Sequence, residues 1–535
     1  MKIRNDLATQ EAATFCDSGD NPQNPRRREI LLTAGGVVAS GLLPGGLSSA
    51  MAAPKGADIV AMDATALSAI IKRREVSCVE VMDAYLAQIK RVNPRVNAIV
   101  ALQDEGKLRA QALERDRQLA RGQYMGWMHG MPQAVKDTAA TAGIVTTQGS
   151  PILKDYVPKE DAIIVERAKR AGAIIIGKTN VPEFALGSNT VNPVYGDTVN
   201  PFDLTKTVGG SSGGTAAALV ARMLPVGDGS DFGGSIRNPS AFCNIYGLRP
   251  TAGVVPFGPS PEVFIQQFAT EGPMGRTVKD VAMLLSIQAG FDKRAPLSVH
   301  LDPKLFAGKL ERSFKGARVA WLGDWGGYYP MEPGVMELCQ AQLKTFSNLG
   351  CIVEPVKPMF DPAVLWKMWL THRQFIIGNY LGTFYAKPEL RALMKADARW
   401  EVEQSLKLKP QDLFESSAAR TEWVMALNTF FEKYDFIVTP TAQVFPFDVK
   451  TLWPKVVAGR TMETYHQWMG IVLPWTLAGT PIMNIPVGFS AGGVPMGMQL
   501  IGKRHDDFRV MQMARAYEQA TGWVQKNVPA IAKAG

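Results

Sequence analysis

Residues 209–214 read Gly209-Gly210-Ser211-Ser212-Gly213-Gly214, and residues 227–237 read Gly227-Asp228-Gly229-Ser230-Asp231-Phe232-Gly233-Gly234-Ser235-Ile236-Arg237. Two Gly-Gly-Ser units thus end at Ser211 and Ser235. Glycine at this density costs folding entropy and is useful where backbone must come close to a ligand or adopt positive φ. One tight turn explains one such unit; two in succession point to a site. The segment Phe232-Gly233-Gly234-Ser235 can aim several N–H groups at one point, where an oxyanion formed by attack of Ser235 on a carbonyl would be held.

A neutral serine needs a base beside it. Of the five histidines (His129, His300, His372, His466, His505), only His129 lies near these motifs in sequence. The other candidate is Lys136, at the end of the apolar segment Met131-Pro132-Gln133-Ala134-Val135-Lys136-Asp137. Burial there would lower its pKa toward the neutral amine that a base requires. A lone lysine is ordinarily a surface residue, so the segment by itself leaves the base open.

Two pattern matches nearby are misleading. Gly172 to Thr179 fits a phosphate-loop pattern, but its middle is Ala-Ile-Ile-Ile, which suits a buried strand, and Pro182 disfavours a helix after it. Gly210 to Gly214 fits a nucleophile elbow around Ser212, which needs a strand directly ahead. Asp203-Leu204-Thr205-Lys206-Thr207 reads as non-strand, although the downstream histidines leave a triad available.

Outward from the site, apolar residues recur at helical spacing from Ala64 to Val92, with Ser77 and Glu80 forming a capping box that opens the second helix. Residues near Glu105 to Arg121 read as a charged amphipathic helix. Ile163 to Ala171 reads as a helix, Ala173–Ile176 as a strand, Thr215–Ala221 as a small-residue helix and Leu224–Gly227 as a strand. Later strand-like runs are Phe436–Val438, Met483–Val487 and Met498–Ile501, and a helix near Arg509–Ala520 closes the chain. Helices alternating with buried strands predict an α/β layered fold. With no linker or repeat between them, one large domain over residues 53–535 is expected.

Composition narrows the class. The chain has 535 residues, 46% hydrophobic and 20% charged, as a folded globular protein has. The net charge of +9 forms no dense basic stripe interleaved with aromatics, so nucleic acid is not an expected partner. Five cysteines (Cys16, Cys78, Cys243, Cys339, Cys351) and five histidines show no metal-ligand spacing, and no metal is expected. Residues 1–52 have the order of an export signal. Arg26-Arg27-Arg28-Glu29-Ile30-Leu31 precedes an uncharged stretch, and Ala50-x-Ala52 ends it. This resembles a twin-arginine signal with its cleavage site, predicting a periplasmic or secreted protein that keeps no stable membrane anchor once cut. An uncleaved membrane anchor is the alternative.

Gly209 to Thr251, together with Val135-Lys136-Asp137, Thr146-Thr147-Gln148-Gly149-Ser150, Gly177-Lys178-Thr179-Asn180 and Glu271-Gly272-Pro273-Met274, resembles the amidase signature family. The resemblance is weaker between about Ala289 and Tyr434. It implies a single-domain α/β/α layered fold around a large mixed central β-sheet, with a signature core over about 130–275. It implies a catalytic lysine at Lys136, a relay serine after a cis peptide at Ser211, and an acylated nucleophile at Ser235. The oxyanion hole would be the N–H groups of Phe232, Gly233, Gly234 and Ser235, and Gly210 and Ser212 would face substrate. No cofactor is implied. The expected substrate is a small linear amide. Nine of the eleven tryptophans lie between Trp321 and Trp475, where the family is variable, which favours an apolar or aromatic acyl group. Alternatives are a carbamate or ester hydrolase, a glutamine-using component of an amidotransferase, or a non-catalytic binding protein on the same scaffold. A homodimer is left open.

Overall fold

A computed structural model describes residues 56–533; the segment 1–52, for which an export signal is expected, lies outside the described residues. Residues 53–535 group into one compact unit. Its sheets account for most of the buried β-branched runs. One sheet has three strands, β1 (Ile99–Val100), β2 (Pro132–Lys136) and β3 (Ile174–Thr179), in the order β1-β3-β2. The Ile-Ile-Ile run in β3 is buried throughout, as a strand covered on both faces requires.

A second sheet has eight strands: β4 (Gly227–Asp231), β5 (Tyr246–Arg249), β6 (Thr270–Gly275), β7 (Arg318–Trp321), β8 (Ile352–Pro355), β9 (Phe436–Pro440), β10 (Ile482–Phe489) and β11 (Pro495–Ile501). Their spatial order is β8-β7-β9-β11-β10-β5-β6-β4. β7 runs parallel to β8 and β9, and the remaining neighbours are antiparallel, so the sheet is mixed. This is the α/β architecture that the alternation of helices and strands predicts. The two sheets meet through a side chain. Asp228 on β4 accepts the Lys136 N–H at 3.0 Å and the Gln133 amide at 3.3 Å.

The helices that matter to the site are α1 (Cys78–Val96), α2 (Gly213–Val220), α3 (Arg237–Phe242), α4 (Pro362–Tyr385), α5 (Ala396–Ser405), α6 (Pro410–Phe430), α7 (Leu473–Ala478) and α8 (Asp507–Thr521). The Ser77–Glu80 capping box opens α1, a device that contributes about 1 kcal/mol. α2 is buried along its whole length. Its small residues let it lie close to the sheets, and Thr215 ties it down with bonds to Thr179 Oγ1 (2.7 Å) and Asp228 O (2.9 Å). Helices α4, α5, α6 and α7 pack on one another and form a wall on one side of the site.

Two sequence readings need correction. The strand expected at Leu224–Gly227 begins at Gly227 and runs to Asp231: the glycines and aspartates of this motif form the strand itself, because they are paired with Thr270–Met274. Asp203–Thr207, read as non-strand, is a strand in a hairpin with Val199–Asn200, held by tertiary pairing despite its polar sequence. The pattern from Ala64 to Val92 is the two helices expected, Ala64–Lys72 and α1, with Arg74 at φ +60° between them.

Candidate active site

Lys136 is the last residue of β2 and is 1% exposed. Its Nζ is surrounded by oxygen: Ser211 Oγ at 2.8 Å, Ser212 Oγ at 2.9 Å, Ser230 Oγ at 2.9 Å and Ser230 O at 3.1 Å. Burial pushes the amine down to about 7, against the opposing pull of Asp231, Asp228 and Glu271. The alternative base, His129, is committed elsewhere: its ring bonds Arg115 O (2.9 Å) and the Met125 N–H (3.3 Å).

Ser211 follows a cis peptide bond from Gly210 and is buried beside the amine. Ser235 comes from the other glycine unit, and the two loops are joined by the Ser212 N–H donating to Ser235 O at 3.0 Å. Ser235 is half-buried, and its hydroxyl makes no hydrogen bond within the chain among the described residues. Lys136, Ser211 and the Ser235 loop, 75 and 99 positions apart in sequence from the lysine, thus converge on one place.

The 232–235 loop is held from below by charge. Asp231 accepts the Gly234 N–H (2.8 Å) and the Ile236 N–H (3.2 Å), and binds Arg237 through Nε (3.0 Å) and Nη2 (2.9 Å). Arg249 lies 3.5 Å away from the same carboxylate. Burial acts to raise the Asp231 pKa, but the two guanidiniums outweigh it and hold the carboxyl far below the usual range. Arg237 also donates to Val472 O, Gln499 Oε1 and Thr476 Oγ1, so this loop is locked to β11 and α7.

These contacts revise three expected roles. The Gly234 N–H is turned into Asp231, at φ +93° for Gly234, so it is not free for an oxyanion; the N–H groups of Phe232, Gly233 and Ser235 have no protein acceptor among the described residues. Ser212 is fully buried and holds the lysine amine, so it does not face substrate. Gly210 has both backbone groups occupied by Ser188 Oγ, at 3.0 Å from its N and 2.7 Å from its O. Sequence reasoning also missed Ser230 and the Asp231–Arg237–Arg249 cluster. Ser230 sits in the same glycine-rich motif, but only strand pairing reveals which way it points.

The phosphate-loop lookalike is absorbed into β3. Lys178 there donates to Thr141 Oγ1 at 2.9 Å and to the Ala139 carbonyl. Against the 232–235 loop stand aromatics. Phe232 lies 5.4 Å from Trp369 and 6.0 Å from Phe268, ring centre to ring centre. A Cβ at Gly233 would sit 2.8 Å from Trp369 Cη2, so glycine is needed for this approach. Arg373 packs on Phe232 and Trp369 (5.4 and 5.3 Å) while its charge is met by Glu401 at 2.5 Å. Trp325, Trp423 and Trp475 are core and pack together with centroids 5.6–6.0 Å apart.

The amidase family model, described simply as Amidase, matches residues 80–511. The chain belongs to the amidase signature family. This amidase-family chain is 32% identical over 475 residues to an acylamidase of Rhodococcus erythropolis, covering 87% of this chain and 96% of that protein. It is 34% identical to the A-type component of the glutamyl-tRNA(Gln) amidotransferase of Methylococcus capsulatus, over 87% and 98% of the two chains. A bacterial aryl acylamidase of the amidase signature family superposes with TM-score 0.81 at 27% identity, over 90% of this chain and 99% of the other. The 6-aminohexanoate cyclic dimer hydrolase, solved with substrate, superposes with TM-score 0.78 at 25% identity, over 89% and 100%. The protein is therefore an amidase-family hydrolase acting on carbon–nitrogen bonds.

Proposed function

We propose that this amidase cleaves small amides carrying an apolar or aromatic acyl group through an acyl-enzyme on Ser235. One observation carries the reading: a buried lysine amine, pushed down to about 7, lies 2.8 Å from the hydroxyl of Ser211. In the proposed reaction neutral Lys136 takes the proton of Ser211 as Ser211 takes that of Ser235, and Ser235 Oγ bonds to the amide carbon. The oxygen that gains the negative charge is met by the N–H groups of Phe232, Gly233 and Ser235. As the carbon–nitrogen bond breaks, Ser211 passes a proton to the leaving amine and regains one from Lys136. Water then attacks the ester by the same relay and frees the acid.

The acyl preference is supported by Phe232, Trp369 and Phe268, the aromatic side chains packed against the 232–235 loop, and by the pairing of Arg373 with Glu401, which balances the charge nearest Phe232 and Trp369. A kinetic panel of aryl and arylalkyl amides against acetamide, glutamine, a carbamate and an ester tests it. The expected order places aryl or arylalkyl amides first; highest kcat/KM on glutamine would support the amidotransferase reading instead. Export of the chain by its 1–52 segment is part of the same proposal, and N-terminal sequencing of the periplasmic protein, expected to begin near Ala53, checks it.

A further inference from the structure

Glu271 on β6 stands directly opposite Ser230 on β4 in the antiparallel register. Side chains of such a pair project from the same face of the sheet, a few ångströms apart. Ser230 in turn accepts the Lys136 amine through both its oxygens. Glu271 is 5% exposed, and its Oε2 is buried without a hydrogen-bond partner. A buried carboxylate in that condition is costly unless a cation balances it or a proton neutralises it.

The other ionisable groups around it are accounted for. Asp231 on β4 is held ionised by Arg237 and Arg249. Asp228, also on β4, accepts from the Lys136 N–H and Gln133. Lys178 on β3 donates to Ala139 and Thr141, and Asp137, next to Lys136 in the chain, accepts from Thr147. Glu271 alone of these has a carboxyl oxygen buried with nothing to bind.

We propose that Glu271 is a positioning residue for the lysine base: Glu271 and Lys136 hold one proton between them across Ser230, so the state of the carboxyl sets how readily the amine is neutral. Burial and Asp228 raise the Glu271 carboxyl to about 8 while Lys136 and Lys178 draw it down, which brings it into the same pH range as the amine. Two tautomers then coexist after the first proton leaves: neutral amine with carboxylic acid, and ammonium with carboxylate. Only the first contains a base. Atoms and charge are equal in the two, and no co-reactant is needed.

This role rests on Lys136 being the base, and the experiment separates the two claims. The wild-type kcat/KM profile is expected to rise in two steps, because the ammonium–carboxylate tautomer delays part of the activity until a second proton is lost. Glu271→Gln removes the carboxylate that favours the ammonium. Its profile should be a single step displaced to lower pH, giving up to about twofold more activity than wild type, each relative to its own plateau, at pH values between the two wild-type steps. Glu271→Met, similar in volume and equally uncharged, should shift the limb in the same direction. The rate of serine labelling by a fluorophosphonate should show the same displacement, which a loss of packing would not produce. A single-step wild-type limb, or folded Glu271 variants whose limb stays in place, would overturn the proposal. Full turnover by Lys136→Ala would overturn the base assignment instead.

Discussion

Asp231 and Arg237 are joined by two hydrogen bonds, of 2.9 and 3.0 Å, and neither side chain is exposed. The pair is the mount of the 232–235 loop, since the same carboxylate also takes the Gly234 and Ile236 N–H groups. Removing one member leaves the other charged and buried. Arg237→Met should therefore lower stability by about 3–5 kcal/mol, measured by urea unfolding. A loss below about 1 kcal/mol would mean that Arg249 alone can balance Asp231.

The same carboxyl predicts an acid-labile fold. Asp231 is held below its unfolded pKa, so its contribution is present above the unfolded value near 4 and is lost as pH falls from there through the folded value. Thermal scans should show Tm dropping steeply below about pH 4, and the drop should be shallower in Asp231→Asn, whose Tm is already low. Equal acid sensitivity in the two proteins would assign the effect to other carboxyls.

Activity should rise with pH through about 7, the region to which burial lowers the Lys136 amine. The sign follows from the role: protonated Lys136 cannot accept from Ser211, so the acid form is inactive. Lys136→Ala should lose several orders of magnitude in kcat with little change in KM. Lys136→Arg should be as poor, because a guanidinium does not give up its proton in this range.

Three serines hold the lysine amine, yet their proposed roles are unequal. Ser211→Ala should cost about 10²–10⁴ in kcat as the relay is lost. Ser212→Ala and Ser230→Ala remove only one acceptor each from the amine and should cost roughly tenfold, the effect of one hydrogen bond to a charged or ionisable group. Pre-steady-state acylation rates distinguish them. Equal losses at all three positions would argue against a relay through Ser211.

Trp369 is 1% exposed and touches the loop at Gly233 and Phe232. Trp369→Leu should raise KM for an aryl amide by about 10- to 100-fold, a value typical of lost apolar contact in a pocket. Acetamide, too small to reach that wall, should be little affected. A uniform loss across the panel would place Trp369 in the core alone.

The chain's own order of residues carried the fold class, the capped helix at Ser77 and the two Gly-Gly-Ser units, while the choice of Lys136 as base came from the family resemblance. Glycine clusters and buried β-branched runs are local signals, and they are readable because backbone freedom and strand burial depend on neighbouring residues. Tertiary structure decided the rest. Strand pairing sets Glu271 opposite Ser230, whose oxygens meet the lysine, while loop packing turns the Gly234 N–H into Asp231 and assigns Ser212 to the amine rather than to substrate. It also extends the polar Asp203–Thr207 run into a strand and sends Trp325, Trp423 and Trp475 to the core while Trp369 reaches the loop. The direction of a side chain and the choice of a hydrogen-bond partner depend on groups tens to hundreds of positions away. Those groups become neighbours only when the sheets close.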